Sequence, residues 1–257
     1  MRFSELDQKM RTYEELNDQY VLPGVFIVVR LDGRNFTRLT KEELKFKTPY
    51  DEIFRNHMIE VVKHLMDSGF RVIYGYTQSD EISLLFHPQD DTFQRKVRKI
   101  NSVLAGEASG KFSLLINRVA TFDSRVCQLP TLEIVIDYFR WRNEDAHRNA
   151  LNSHCYWMLR KKGESVKKAT SILTGMSVAE KNELLFQNGV NFNDLPKWQK
   201  RGIGIYWDKQ LKKGYNPKLK RDEVSEKKIL VVDIDLPMKE KYSQFIEKLV
   251  KDSINAS

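Results

Sequence analysis

An apolar run, Phe26-Ile27-Val28-Val29-Arg30-Leu31, ends abruptly in Asp32-Gly33. A run of this length, rich in β-branched residues and closed by glycine, is a strand. It sets a carboxylate where the chain leaves the sheet. A second acidic pair, Asp80-Glu81, follows Ser79 between the strand-like runs Arg71 to Tyr76 and Ile82 to Phe86, where a hairpin turn would present it. In an α+β sheet the first strand can lie beside that hairpin, bringing Asp32 and Asp80 together although 48 positions separate them. Alone, an Asp-Gly pair after a strand is an ordinary turn. Two carboxylate loops side by side suit a divalent cation, because Mg2+ is held by one or two carboxylates together with its substrate's phosphates. Phosphoryl or nucleotidyl transfer is the chemistry such a pair serves. The sequence has no Walker loop, so phosphate binding falls to the Gly33 turn, where glycine lets backbone N–H groups approach closely. Arg34, Asn35 and Phe36 would line the same pocket.

Around these two loops the pattern predicts a polar helix from Ser4 to Asn17 and a helix opened by Pro49 and stopped by Gly69. Ile53, Phe54, Met58, Val61, Val62 and Leu65 supply the apolar face of the second helix. Beyond the hairpin come a helix from Asp91 to Ser109, a strand from Leu114 to Phe122 and a long helix from Leu132 to Lys161. Strand, helix, hairpin, helix, strand is the order of a polymerase- or cyclase-like palm. The expected organisation is a palm-like catalytic part over residues 1–135, with residues 136–257 as a helical and C-terminal elaboration on the same unit. On the long helix, Trp141, Tyr156 and Trp157 fall at helical spacing and read as core. Asp233 and Asp235 share one face of the run Ile229 to Leu236 and read as part of an exposed edge strand.

The chain has 257 residues, 41% of them hydrophobic, which excludes a disordered chain. No run of eighteen apolar residues is present to cross a membrane. Its first twenty residues are charged and polar, so a cytoplasmic setting is expected. Cys127 and Cys155 are isolated and make neither a disulfide framework nor a zinc spacing. A net charge of +8 favours a polyanionic partner, since lysine and arginine bound to phosphates release counterions. Eight basic residues fall between Lys209 and Lys228, around Gly214-Tyr215-Asn216-Pro217, in what reads as an exposed basic hairpin or loop.

The motifs Arg30-Leu31-Asp32-Gly33-Arg34-Asn35-Phe36, Gln78-Ser79-Asp80-Glu81 and Tyr138-Phe139-Arg140-Trp141-Arg142 occur in this order. They are followed by Asp145, His147, Asn149 and Trp157, then by Lys181-Asn182-Glu183-Leu184-Leu185, Gly189 to Pro196 and Trp198-Gln199-Lys200-Arg201-Gly202. In this series the chain resembles the tRNA(His) guanylyltransferase superfamily, the reverse polymerases that add nucleotides at the 5′ end of RNA. The resemblance implies a palm domain with two Mg2+ ions held by Asp32, the Gly33 carbonyl and Asp80, with Glu81 beside them. It implies nucleotide contacts from Gly33, Arg34, Asn35, Phe36 and Ser79, triphosphate contacts from Lys96 and Lys99, and contacts to an activating nucleotide or second triphosphate from His147, Lys181 and Asn191. ATP, GTP and other nucleoside triphosphates would be substrates, tRNA the partner, and the assembly a homo-oligomer, dimer or tetramer. By the same resemblance, a 5′-monophosphorylated RNA is first adenylylated, releasing pyrophosphate, and the incoming nucleotide's 3′-hydroxyl then displaces AMP.

Departures from the family pattern refine this expectation. His147-Arg148-Asn149-Ala150-Leu151-Asn152-Ser153 is looser than the eukaryotic His-Ile-Asn-Asn-Leu-Tyr-Asn and resembles the bacterial and archaeal guanylyltransferase-like proteins. Template-directed 3′-to-5′ addition, the repair of truncated tRNA 5′ ends, is therefore the leading expectation. Three alternatives stand beside it: guanosine addition at position −1 of tRNA(His), an RNA-independent palm nucleotidyl cyclase, and a noncatalytic RNA-binding protein. Thr37 stands where many relatives have histidine, and Thr48 where some have lysine before the proline.

Overall fold

The computed structural model describes the backbone of residues 1–216 and 221–255, and the side chains of residues 1–211 and 226–255. Helix α1 covers Phe3–Glu15 and buries no residue. Strand β1, Phe26–Gly33, leads into a single π-turn, Arg38–Glu43, and helix α2 spans Glu52–Met66. Strands β2, Val72–Gln78, and β3, Glu81–Phe86, form the hairpin; helix α3, Val97–Ile116, and strand β4, Phe122–Leu129, follow. Helix α4, Leu132–Lys161, runs for 30 residues. Short helices α5, Val166–Leu173, α6, Val178–Phe186, and α7, Lys197–Arg201, precede strands β5, Ile203–Asn216, and β6, Arg221–Asp233. Helix α8, Glu240–Asn255, ends the described chain.

The strands make one antiparallel sheet in the order β4-β1-β3-β2-β5-β6. Alternation along β1 divides its side chains between two helical layers. Ile27, Val29 and Leu31 pack with α2 and α3, while Val28 joins Phe139 of α4 and Tyr242 and Ile246 of α8. Arg30 and Asp32 share the α4 side with Val28. A third core, built on Leu151, Cys155 and Leu159 of α4, seats α5, α6 and Phe192. Among the described residues, no helix is long and apolar enough to cross a membrane.

Most predicted elements form, and the differences have local causes. Asp51 rather than Pro49 opens α2: its carboxylate accepts from the amides of Ile53 at 2.7 Å and Phe54 at 3.1 Å. Ile53, assigned to that helix's apolar face, is 59% exposed. Helix α3 begins after Lys96 and runs to Ile116, so Leu114, Leu115 and Ile116 form its last turn and not the start of a strand. Asn117 ends it in the left-handed conformation at φ 51°, and the strand is displaced to Phe122–Leu129. The predicted basic hairpin is present as β5 and β6, paired from Gly204↔Asp233 to Asn216↔Arg221, and β6 is the edge strand that carries Asp233. Its tip, residues 217–220, lies outside the described residues.

Candidate active site

The two carboxylate loops meet through backbone register. Strand β1 pairs with β3 so that Asp32 lies opposite Glu81, and the Gly33 amide donates to the Asp80 carbonyl at 3.1 Å. Gln78 and Glu81 close a two-residue turn in which Ser79 adopts φ 55°. Gly33 is required here by a close approach: a Cβ on it would stand 2.5 Å from the Phe36 ring. That ring is fixed in the core by Phe122 at 4.9 Å and Phe112 at 5.0 Å. Gly33→Ala is therefore expected to cost about 2 kcal/mol by overpacking, read as a lower denaturant midpoint.

The carboxylates differ in their company. Asp32 accepts from Arg30 at 3.1 Å on one oxygen and, on the other, from Arg125 of β4, which pairs with Arg30. Glu81 accepts from Arg30 and, at 2.7 Å, from Arg142 of α4. Arg142 is itself buried and also donates to Asp145 at 3.1 Å. Asp80 makes no ion pair among the described residues; burial pushes its carboxyl pKa up, Asp32's like charge adds to this, and Lys41 opposes it at longer range. Burial also raises Glu81, against the opposing pull of Arg142 and Arg30.

Among the described residues, no three His, Cys, Asp or Glu side chains gather into a metal cage. The donor set nevertheless fits Mg2+, which needs only one or two carboxylates when phosphates complete its shell. Asp80 is the half-buried anion that a cation would neutralise, and Arg125, 56% exposed, can swing away from Asp32. Beside Asp80 and Glu81 opens a cavity of about 790 Å3 between the π-turn, α2, the hairpin and α4. Thr40, Lys41, Tyr50, Arg55, Gln78 and Ser79 line one side, and Arg142, Asn149, Tyr156, Trp157 and Arg160 the other.

The predicted nucleotide contacts divide into those gathered here and those held elsewhere. Ser79 and Phe36 line the cavity, but Phe36 turns its ring into the core, and Arg34 and Asn35 are exposed outside the lining. The Gly33 and Arg34 amides, expected to cradle phosphate, are spent on the carbonyls of Asp80 and Thr121. Lys96 and Lys99 lie at the start of α3, with Lys96 paired to Asp18 at 2.6 Å. Two residues beyond Lys99, Asn101 accepts from the Ser124 hydroxyl at 3.2 Å, and Ser124 pairs with Leu31 beside Asp32. His147 packs on Phe192 at 5.2 Å, Lys181 donates to Asn152 at 3.1 Å, and Asn191 caps the turn at Phe192. These three gather on the side of α4 turned toward α6, away from the cavity. Burial, then Lys200 and Arg201, lowers the His147 pKa.

Tyr156 and Trp157, read as core, line the cavity, and Trp141 is 53% exposed with the Arg142 guanidinium 4.5 Å from its ring. Arg30 was legible as Asp32's same-face neighbour two residues back. Arg125 was not, because the strand carrying it was placed too early. Arg142 closes the motif Tyr138 to Arg142, in which the sequence assigns it no role.

The chain matches two family models, one described as tRNAHis guanylyltransferase over residues 7–130 and one as Thg1 C terminal domain over residues 133–244. It is 32% identical over 219 residues to tRNA(His) guanylyltransferase 1 of Arabidopsis thaliana, a match covering 81% of this chain and 37% of the plant protein. With the tRNA(His) guanylyltransferase of Schizosaccharomyces pombe it shares 28% identity over 88% of both chains. A bacterial tRNA(His) guanylyltransferase-like protein solved in complex with ATP superposes with a TM-score of 0.74 at 26% identity, covering 95% of this chain and 99% of that one. One solved in complex with GTP gives 0.70 at 28% identity, over 96% and 99%. Both halves of the sequence, the palm order of its sheet and the paired carboxylate loops agree: the chain belongs to the tRNAHis guanylyltransferase family, whose named activity is nucleotidyl transfer.

Proposed function

We propose that this protein is a metal-dependent nucleotidyltransferase that adds guanosine at position −1 of tRNA(His). The observation that carries the reading is the Gly33–Asp80 backbone bond, which fixes two carboxylate loops together at the wall of a cavity large enough for a nucleotide. The matching relatives are named tRNA(His) guanylyltransferases, which favours this reading over template-directed repair, the leading expectation from sequence. Repair stands second, supported by the loose stretch His147 to Ser153 and by the bacterial guanylyltransferase-like proteins that superpose over nearly the whole chain. Assembly as a dimer or tetramer and a cytoplasmic setting belong to the same proposal.

Asp32 and Asp80 would hold Mg2+, with the Gly33 carbonyl as a third donor and Glu81 beside them. When bound, the metal lowers the pKa of an attacking hydroxyl and neutralises charge on the leaving group. Arg30 and Arg142 hold Glu81 in place, and Arg142 ties the hairpin to Asp145 on α4. Ser79 offers a hydroxyl at the cavity wall. These groups position the nucleotide so that its 3′-hydroxyl attacks the adenylylated 5′ phosphate of the RNA and AMP departs.

The two readings separate in one experiment. tRNA(His) transcripts lacking the −1 nucleotide, with each of the four bases opposite the vacant position, are incubated with each nucleoside triphosphate. Guanosine incorporated whatever base opposes it is the expected result. Incorporation that follows the opposing base establishes repair instead. Turnover of a triphosphate without RNA would identify a cyclase, and RNA binding without turnover a noncatalytic binder.

A further inference from the structure

Four basic side chains line the cavity beside Asp80 and Glu81: Lys41, Arg55, Arg142 and Arg160. Arg142 and Arg55 have charged or aromatic partners, while Arg160 has one carbonyl partner and a buried Nε with none. Arg142 pairs with Glu81 and Asp145, Arg55 lies 4.7 Å over the Trp198 ring and 3.8 Å from Glu52, and Arg160 donates to the Glu164 carbonyl at 3.2 Å. Lys41 differs. It makes no ion pair among the described residues, and its Nζ donates only to the carbonyls of Lys47 at 3.4 Å and Pro49 at 3.5 Å. Those distances lie at the weak end of hydrogen bonding.

The position of Lys41 is set by the fold. It sits in the π-turn Arg38–Glu43, and the Thr40 hydroxyl before it donates to the Phe36 carbonyl at 2.6 Å. The turn is thereby tied to the loop that carries Asp32 and Gly33. The two carbonyls that Lys41 touches flank Thr48. Burial lowers the Lys41 pKa, with Asp51 and Asp80 attracting the ammonium in opposition. An ammonium taken partly out of water and given only long bonds to neutral acceptors gains strongly from an anion.

We propose that the Lys41 ammonium binds phosphate in this cavity, on the phosphate chain of the bound nucleoside triphosphate or on the 5′ phosphate of the RNA. The inference rests on the proposed function, which supplies the phosphate.

Dissociation constants for ATP with Mg2+, and for a 5′-monophosphorylated tRNA, are measured on the parent, Lys41→Gln and Lys41→Arg. Lys41→Gln should weaken one of the two ligands about tenfold, the value of a hydrogen bond to a charged group, and Lys41→Arg should restore most of it. Loss confined to ATP places the ammonium on the triphosphate, and loss confined to the tRNA places it on the RNA end; a 5′-hydroxyl tRNA should then show no loss. Thermal unfolding of each variant excludes misfolding as the cause. Unchanged affinity of Lys41→Gln for both ligands, with the parent binding them, overturns this inference and leaves the proposed function standing. A parent that binds neither ligand overturns the proposed function, and the inference with it.

Discussion

Asp80→Asn is expected to lower 5′ nucleotide addition by at least about a thousandfold, the rate equivalent of several kcal/mol of lost charge stabilisation at a metal. The same variant should be at least as stable as the parent at pH 7. Asp80 is a half-buried carboxylate with no ion pair among the described residues, and burial sets its folded pKa above the ordinary carboxylate value of 3.8. A raised folded pKa means that the folded state binds the proton more tightly than the unfolded chain does. The ionised group therefore subtracts stability as pH rises above the unfolded pKa. An amide cannot ionise, so the stability advantage of Asp80→Asn should grow between about pH 4 and pH 7. Denaturant midpoints of both proteins across that range, beside single-turnover addition rates, check both halves. An Asp80→Asn protein that keeps activity, or that loses stability as pH rises, contradicts the assignment of Asp80 as the anion awaiting a cation.

Gly202→Ala should be among the most destabilising single changes in the chain, at about 3 to 5 kcal/mol. Gly202 ends α7 at φ 74° and ψ −169°, a backbone region essentially reserved for glycine. A Cβ there would stand 2.4 Å from the hydroxyl end of Tyr76. Tyr76 cannot move aside easily, since it is buried and its hydroxyl donates to the carbonyls of Arg201 at 3.0 Å and Arg142 at 3.3 Å. Strain and overpacking thus fall on the joint that fixes α7, with Trp198 and Gln199, against α4 and the hairpin. Calorimetry should show a melting temperature lower by about 10 °C. A change below about 2 °C would mean that the joint yields.

Local patterns carried the parts of the site that local chemistry dictates. The apolar run ending at Asp32 and the hairpin ending at Asp80 were readable because a strand has a two-residue period and a tight turn a short vocabulary. Their meeting is a register, and it held because alternation on β1 leaves only one face for the core. The missed features depend on where distant elements land. Leu114-Leu115-Ile116 has the composition of a strand, but Asn117 extends α3 through it by ending the helix in a left-handed cap. That shift of one element hid Arg125, which reaches Asp32 only once β4 begins at Phe122. Tyr156 and Trp157 have core spacing and core composition, yet their side of α4 faces a cavity, which periodicity cannot distinguish from packed interior.

The most direct test of the account is addition to a 5′-triphosphorylated tRNA(His) transcript lacking its −1 nucleotide, with radiolabelled GTP, in the presence and absence of Mg2+, by the parent and by Asp32→Ala. The account predicts a labelled product one nucleotide longer, formed by the parent with Mg2+ and absent when either Mg2+ or Asp32 is removed. An unlabelled, unextended tRNA in every reaction would contradict it, as would equal extension by Asp32→Ala.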